Sequence, residues 1–149
     1  MNDAETSIHR RVRALRAGEE PGQLARLASG WVVLGDPQVI RGYCLLLPDP
    51  VVPQLNALAG GARAQFLDDL ALVGDVLLEA LRATRINYAI FGNQDPALHA
   101  HVFPRRADEP AGLATAHPWA YDWGAAPRLD AVRDGALLES LRQAFAARR

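Results

Sequence analysis

Apolar residues recur every three or four positions in one long stretch of the chain, from Ala62 to Arg82. This spacing places them on one face of a helix, because an α-helix makes one turn in 3.6 residues. The members of this apolar face are Phe66, Leu70, Val73, Leu77 and Leu81. The pattern therefore predicts a long helix with one face buried against the rest of the protein.

The same spacing predicts a helix at each end of the chain. Residues 3–17 carry an apolar stripe between a cap at Asp3 or Thr6 and a stop at Gly18, and we expect this helix to be peripheral. Residues 128–147 form the predicted C-terminal helix. Its apolar positions are Leu129, Val132, Leu137, Leu141 and Phe145.

Short apolar runs rich in β-branched and aromatic residues predict strands, and turn-forming residues separate them. The four runs are Trp31–Leu34, Tyr43–Leu47, Ile86–Phe91 and Leu98–Phe103. A short amphipathic piece, Leu24–Ala28, precedes the first of them. The last two flank residues 92–96, which are crowded with turn formers, and should pair as a hairpin.

Strands and helices are mixed without strict alternation, which favours an α+β fold. We expect a small antiparallel sheet of four or five strands with the helices packed on one side of it. A length of 149 residues suits a single domain, residues 1–149. Its predicted core spans residues 31–105.

Composition excludes several kinds of chemistry. All sixteen basic residues are arginine, so a P-loop or a lysine nucleophile is excluded, and the single cysteine, Cys44, excludes a disulfide within the chain. A net charge of −1 argues against a nucleic-acid polymer as partner. The sequence contains no signal-peptide core and no membrane-length apolar run, so we expect a cytoplasmic protein without a membrane partner.

His99 and His101 are the strongest candidates for chemistry, because alternate residues of a strand point to the same side. A neutral imidazole can attack phosphorus without a separate base, and a neighbouring imidazole can donate a hydrogen bond to the phosphate. Two imidazoles can equally form half of a metal site, with Asp95 or His117 as a further ligand. Spacing alone leaves these alternatives open, together with an ordinary surface pair.

The residues around this pair resemble the signature of the histidine-triad (HIT) superfamily, in which three alternating histidines precede two apolar residues and commonly Pro-Arg. Residues 92–105 read GNQDPALHAHVFPR, and the resemblance extends over roughly residues 31–105. His99 matches the second histidine of the triad and His101 the third. Ala97 stands in place of the first, and Tyr43 in place of another frequent histidine upstream.

The resemblance implies a nucleotide-binding α+β domain that forms a homodimer and needs no metal or other cofactor. Such an enzyme hydrolyses or transfers at the α-phosphate of nucleoside phosphoramidates or dinucleoside polyphosphates. His99 would be the covalent nucleophile, forming a nucleotidyl-histidine intermediate, and His101 would contact the phosphate oxygens. The nucleotide-binding residues implied by position are Asp36, Asn87, Asn93, Gln94 and Arg105, with Asp36 near the ribose hydroxyls.

The alanine at position 97 has two interpretations. If this position mainly presents its main-chain carbonyl to the nucleophile, alanine serves as well as histidine and turnover survives. If a side chain must relay a proton there, its loss costs a factor of about 10²–10⁴ in rate. The alternative function is then a degenerate domain that binds nucleotides or other proteins with little turnover.

Overall fold

The computed structural model of the protein describes residues 4–148. Three helices are present, α1 (Ser7–Arg16), α2 (Gly60–Ala80) and α3 (Gly135–Ala146). The strands are β1 (Gln23–Arg26), β2 (Gly30–Leu34), β3 (Cys44–Pro48), β4 (Arg85–Ile90) and β5 (Ala100–Arg105). Single 3₁₀ turns lie at Leu55–Ala57 and Pro118–Ala120.

The strands form one antiparallel sheet in the order β1-β2-β3-β5-β4, which confirms the α+β prediction with five strands. The predicted hairpin is β4 and β5, with Arg85 opposite Arg105 and Ile90 opposite Ala100. The fifth strand, β1, occupies most of the amphipathic piece Leu24–Ala28. Strand β5 begins one residue after His99, because the Leu98 N–H donates to the Val52 carbonyl instead of joining the sheet.

Helices cover both faces of the sheet, so the prediction that they lie on one side is wrong. Helices α2 and α3 pack on the face that carries Val32, Leu46 and Val102. Helix α1 packs on the opposite face, against Leu45 and Phe103. The reason is that β3 is buried along its whole length on both sides, and an apolar second face must also be covered.

Helix α1 is therefore part of the core and not peripheral. The predicted stripe of Ile8, Val12 and Leu15 is buried, with at most 4% of each residue exposed. Thr6 caps the helix, as predicted: its hydroxyl accepts from the His9 N–H, and the Thr6 N–H donates to His9 Nδ1. The alternative cap, Asp3, lies outside the described residues.

Helix α3 starts at Gly135, seven residues later than predicted. Asp130 forms a separate turn before the helix. Its carboxylate accepts hydrogen bonds from the Val132 and Arg133 N–H groups, so the helix does not extend back to this residue. Val132, which was predicted on the apolar face, is consequently 94% exposed. Within residues 4–148, no helix combines the length and the apolar character needed to span a bilayer.

Candidate active site

His101 lies in β5 and His99 directly precedes this strand, on the sheet face that α1 partly covers. Leu98, Ala100 and Val102 alternate with them and are buried under α2, as the strand periodicity predicts. His101 lies between Leu45 of β3 and Ala89 of β4 in the sheet register. The two imidazole rings are side by side, with centroids 5.2 Å apart.

The main-chain carbonyl of Ala97 fixes the ring of His99. Nδ1 of His99 lies 2.7 Å from this oxygen. A carbonyl oxygen can only accept, so Nδ1 carries the hydrogen, and in the neutral ring Nε2 carries the lone pair. This arrangement leaves Nε2 as the nucleophilic atom of the ring.

Tyr43 holds His101 from the other side. The Tyr43 hydroxyl lies 2.7 Å from Nδ1 of His101, and the tyrosine is only 3% exposed. Burial raises the pKa of Tyr43, so the hydroxyl keeps its proton. Burial, together with the neighbouring His99, lowers the pKa of His101 to about 4, so this imidazole is neutral at physiological pH.

An open cleft of about 510 Å³ lies in front of both histidines. We call it the reaction cleft. The loop after β4 forms one wall with the predicted nucleotide-binding residues Asn93 and Gln94, which are both exposed, and with Asp95. The remaining lining residues are Phe91, Gly92, Trp119 and Trp123. The cleft therefore combines two imidazoles, two amide side chains and an aromatic wall.

The aromatic wall comes from the segment after β5. The rings of Trp119 and Trp123 stack with centroids 5.3 Å apart, and Trp119 lies edge-on to His101 at 5.3 Å. Beneath them, Phe103 stacks on Tyr43 at 4.5 Å. Nothing in the spacing of the two tryptophans along the sequence relates them to β5.

Asp95 joins the loop of the reaction cleft to helix α1. The Ser7 hydroxyl donates to Oδ2 of Asp95, while Oδ1 is buried and has no hydrogen-bond partner within residues 4–148. The Ala97 N–H also donates to the Asp95 carbonyl at 2.7 Å. The carbonyl that orients His99 thus belongs to a tight turn that α1 supports.

Arg105 does not reach the reaction cleft, although it was predicted to bind the nucleotide. Only 5% of the residue is exposed, and its guanidinium donates to Glu109, Asn87 and the main-chain carbonyls of Leu113 and Ala116. A guanidinium engaged on all sides in this way organises the loop after β5. Asn87 accepts from Arg105 and lies outside the reaction cleft as well.

Asp36 also lies away from the histidine pair and is not part of the lining of the reaction cleft. Its carboxylate pairs with Arg128 at 2.9 Å and accepts from the Leu129 N–H. It thereby fixes the segment that leads to α3. A ribose contact from Asp36 stays a prediction.

The described residues provide no set of ligands for the alternative of a metal site at His99 and His101. His117 is exposed and does not line the reaction cleft. Among residues 4–148, no three His, Cys, Asp or Glu side chains are grouped closely enough to hold a metal ion. Cys44 is buried, and burial raises the pKa of its thiol, so it is not an activated nucleophile.

Neither a family model nor a curated protein sequence matches the chain. Solved structures do match it in fold. A histidine triad protein from Bradyrhizobium japonicum superposes with a TM-score of 0.70 at 23% identity, covering 86% of this chain and 92% of that one. One from Marinobacter aquaeolei gives 0.71 at 18% identity, over 95% and 97% of the two chains.

A third similar structure is a hypothetical histidine triad nucleotide-binding protein from Sulfolobus tokodaii. It gives a TM-score of 0.71 at 14% identity and covers 91% of each chain. The chain therefore has the histidine triad fold. Because a fold hosts many functions, the chemistry has to be argued from the site itself.

Proposed function

We propose that this chain, which has the histidine triad fold, is a nucleotide hydrolase or nucleotidyl transferase of the histidine triad superfamily, with His99 as its covalent nucleophile. The substrates are nucleoside phosphoramidates or dinucleoside polyphosphates, attacked at the α-phosphate. The observation that carries this proposal is the 2.7 Å contact between Nδ1 of His99 and the Ala97 carbonyl. It leaves the Nε2 lone pair of His99 available to attack phosphorus.

In the first step, Nε2 of His99 forms a bond to phosphorus while the bond to the leaving group breaks. The leaving group departs with the bonding electron pair and takes up a proton from water in the open cleft. Positive charge then develops on the His99 ring, which strengthens the hydrogen bond from Nδ1 to the Ala97 carbonyl. In the second step, water attacks phosphorus, its proton passes to solvent, and His99 leaves with its lone pair restored.

His101 orients the phosphate in this scheme. We assign the Tyr43 hydroxyl as the donor to Nδ1 of His101, so that the neutral ring carries its hydrogen on Nε2. That N–H is then a donor for a phosphate oxygen. Asn93 and Gln94, across the cleft, supply amide donors to the same phosphate or to the leaving group.

A trapping experiment tests the proposal directly. Wild type and His99→Ala are incubated with a nucleoside phosphoramidate labelled at the α-phosphate, quenched in alkali, and separated from free nucleotide. We expect label on wild type and none on His99→Ala. His9→Gln is a matched control. Glutamine at position 9 preserves the capping of α1, and this position lies outside the reaction cleft.

Equal labelling of wild type and His99→Ala would reject His99 as the nucleophile. Saturable nucleotide binding in calorimetry without labelling or turnover would instead support the second function, a nucleotide-binding module. The observation that favours this second function is the absence of a side chain at Ala97 that can relay a proton. Turnover that survives exhaustive chelation would argue against a metal-dependent reaction.

We also propose that the protein is a homodimer that pairs through β4. This strand lies at the edge of the sheet and has no partner on its outer side within residues 4–148. Large apolar residues are partly exposed on both elements at this edge, Tyr88 on β4 and Leu67 and Leu78 on α2, which contacts β4. Sedimentation equilibrium tests the proposal: wild type should be dimeric and Tyr88→Glu monomeric, and a monomeric wild type would contradict it.

A further inference from the structure

Within residues 4–148, Asp95 is the only charged side chain that lines the reaction cleft. His101 also lines it and is neutral at physiological pH, because its pKa is lowered to about 4. His99 reacts as the neutral ring in the proposed mechanism. No arginine of the described residues is part of the lining, and the sequence contains no lysine. The cleft therefore presents one negative charge to a substrate and no positive side chain.

The carboxylate of Asp95 has no counter-ion among the described residues. Oδ2 accepts a hydrogen bond from the Ser7 hydroxyl, and Oδ1 is buried without a hydrogen-bond partner within residues 4–148. Ser7 is the first residue of α1, so the positive end of this helix dipole lies beside the carboxylate. That end carries only about half a unit charge. The negative charge of Asp95 is therefore stabilised in place but not neutralised.

This charge distribution distinguishes between the two substrate classes of the proposed function. A carboxylate repels a phosphate in the same cleft, and the repulsion grows with the number of negative charges on the substrate. A dinucleoside polyphosphate carries several such charges, and only neutral donors from His101, Asn93 and Gln94 are available to offset them. A phosphoramidate has fewer negative charges, and its amine can carry a positive charge of its own. A positive charge on the leaving amine would turn the repulsion by Asp95 into attraction.

The aromatic rings of the cleft favour the same kind of group. Phe91, Trp119 and Trp123 line the cleft together with Asp95, and Phe91 and Trp119 are 59% and 45% exposed. The faces of aromatic rings attract cations, most strongly where water is excluded. Such rings also pack against the hydrocarbon chain of an alkylamine. A carboxylate bordered by aromatic rings is thus suited to an organic cation.

We propose that the reaction cleft selects a nucleoside phosphoramidate whose leaving amine carries a second, positively charged amino group, and that Asp95 binds this ammonium. The inference rests on the proposed function, which places the reacting phosphate at His99. It narrows that function, because it selects phosphoramidates over dinucleoside polyphosphates. A divalent metal ion would supply positive charge as well, but no three ligating side chains are grouped for one among residues 4–148.

Substrates that differ in the charge of the leaving group test the inference. Three are adenosine phosphoramidates of linear alkylamines of matched length, whose far end is an ammonium, an acetylated amine or a carboxylate. The fourth is a diadenosine polyphosphate. For wild type we expect kcat/KM for the ammonium substrate to exceed that for the acetylated substrate by tenfold or more, with the two anionic substrates the poorest. Equal values for the ammonium and acetylated substrates at every chain length would overturn the inference.

A charge-neutral variant assigns the preference to Asp95. Asp95→Asn removes the charge but keeps an oxygen that can accept from Ser7, and it should bring the ratio of ammonium to acetylated substrate close to one. Glu139→Gln is the matched control and should keep the wild-type ratio. Glu139 is an exposed carboxylate on α3, which packs on the other face of the sheet. A wild-type ratio in Asp95→Asn would overturn the inference.

The same ratio is measured in the presence of a chelator and in the presence of Mg²⁺, because a metal ion is the other source of positive charge. We expect an unchanged ratio. If Mg²⁺ raised kcat/KM for the acetylated substrate to that for the ammonium substrate, the positive charge would belong to a metal ion and the inference would fail.

Binding without turnover separates the inference from the proposed function. The ammonium and acetylated phosphoramidates are titrated by calorimetry into His99→Ala and into the double variant of His99→Ala with Asp95→Asn. A tenfold or greater preference for the ammonium compound that the double variant loses supports the inference even if wild type shows no turnover, in which case only the proposed function fails. Turnover by wild type without a preference in either kcat/KM or binding overturns the inference and leaves the proposed function standing.

Discussion

The main-chain carbonyl of Ala97 lies 2.7 Å from Nδ1 of His99, so the residue without a functional side chain is the one that orients the proposed nucleophile. Its own side chain is completely buried among apolar residues that include Tyr43 and Phe103. Of the two interpretations of alanine at this position, the geometry favours a main-chain role.

The first prediction concerns Ala97. Ala97→Ser keeps the carbonyl and nearly the same volume, so turnover should remain within about threefold of wild type. Ala97→His adds a ring at a fully buried position, and overpacking should lower the free energy of unfolding by about 1–3 kcal/mol without raising turnover. Steady-state kinetics on the folded fraction measures the effect, and a tenfold gain for Ala97→His would show that the missing imidazole limits the rate.

The second prediction concerns the pH dependence of stability. The pKa of His101 is lowered to about 4 in the folded protein, against about 6.5 in the unfolded chain. Between these values only the unfolded chain binds the proton. The contribution of His101 to the free energy of unfolding is therefore complete above pH 6.5 and is lost as the pH falls to 4. After discounting for partial exposure, the loss should be about 1–3 kcal/mol.

Urea unfolding at pH 7 and pH 4 measures this loss for wild type and for His101→Asn, which cannot titrate. The difference between the two pH values should be larger for wild type, and His9→Gln should behave like wild type. An equal pH dependence in His101→Asn would mean that His101 does not have the lowered pKa.

The third prediction concerns the Tyr43 hydroxyl. Tyr43→Phe keeps the ring that stacks on Phe103 but removes the donor to His101, so the two tautomers of His101 should become mixed. Loss of about 1 kcal/mol of hydrogen bonding corresponds to roughly a fivefold lower kcat. Ring ¹⁵N spectra of His101 report the tautomer. Tyr121→Phe, outside the reaction cleft, should change neither quantity, and an unchanged spectrum in Tyr43→Phe would remove the role of the hydroxyl.

The fourth prediction concerns Arg105. Arg105→Met removes the ion-pair partner of the buried Glu109 carboxylate and the donor to two main-chain carbonyls, and should lower the free energy of unfolding by about 3 kcal/mol. Arg106→Met breaks an exposed ion pair with Asp108 and should cost less than about 1 kcal/mol. Denaturant titration compares them. A raised KM with unchanged stability in Arg105→Met would restore Arg105 as a nucleotide-binding residue.

The sequence by itself determined most of the elements and the histidine pair. The stripe from Phe66 to Leu77, the turn formers between Phe91 and Ala97, and the two histidines separated by one residue are local patterns, and local periodicity is sufficient to read them. The helix α2, the hairpin β4–β5 and the placement of His99 and His101 in one cleft agree with those patterns.

The tertiary structure alone decided which distant residues surround that pair. Tyr43, which directly precedes β3, contacts His101 in the neighbouring strand β5. Trp119 and Trp123 fold back over β5, and α1 covers the second face of the sheet. It also placed Arg105 in a buried network and Asp36 on Arg128, away from the cleft. These contacts join residues far apart in the chain, and their free energy depends on burial and packing that no single segment encodes.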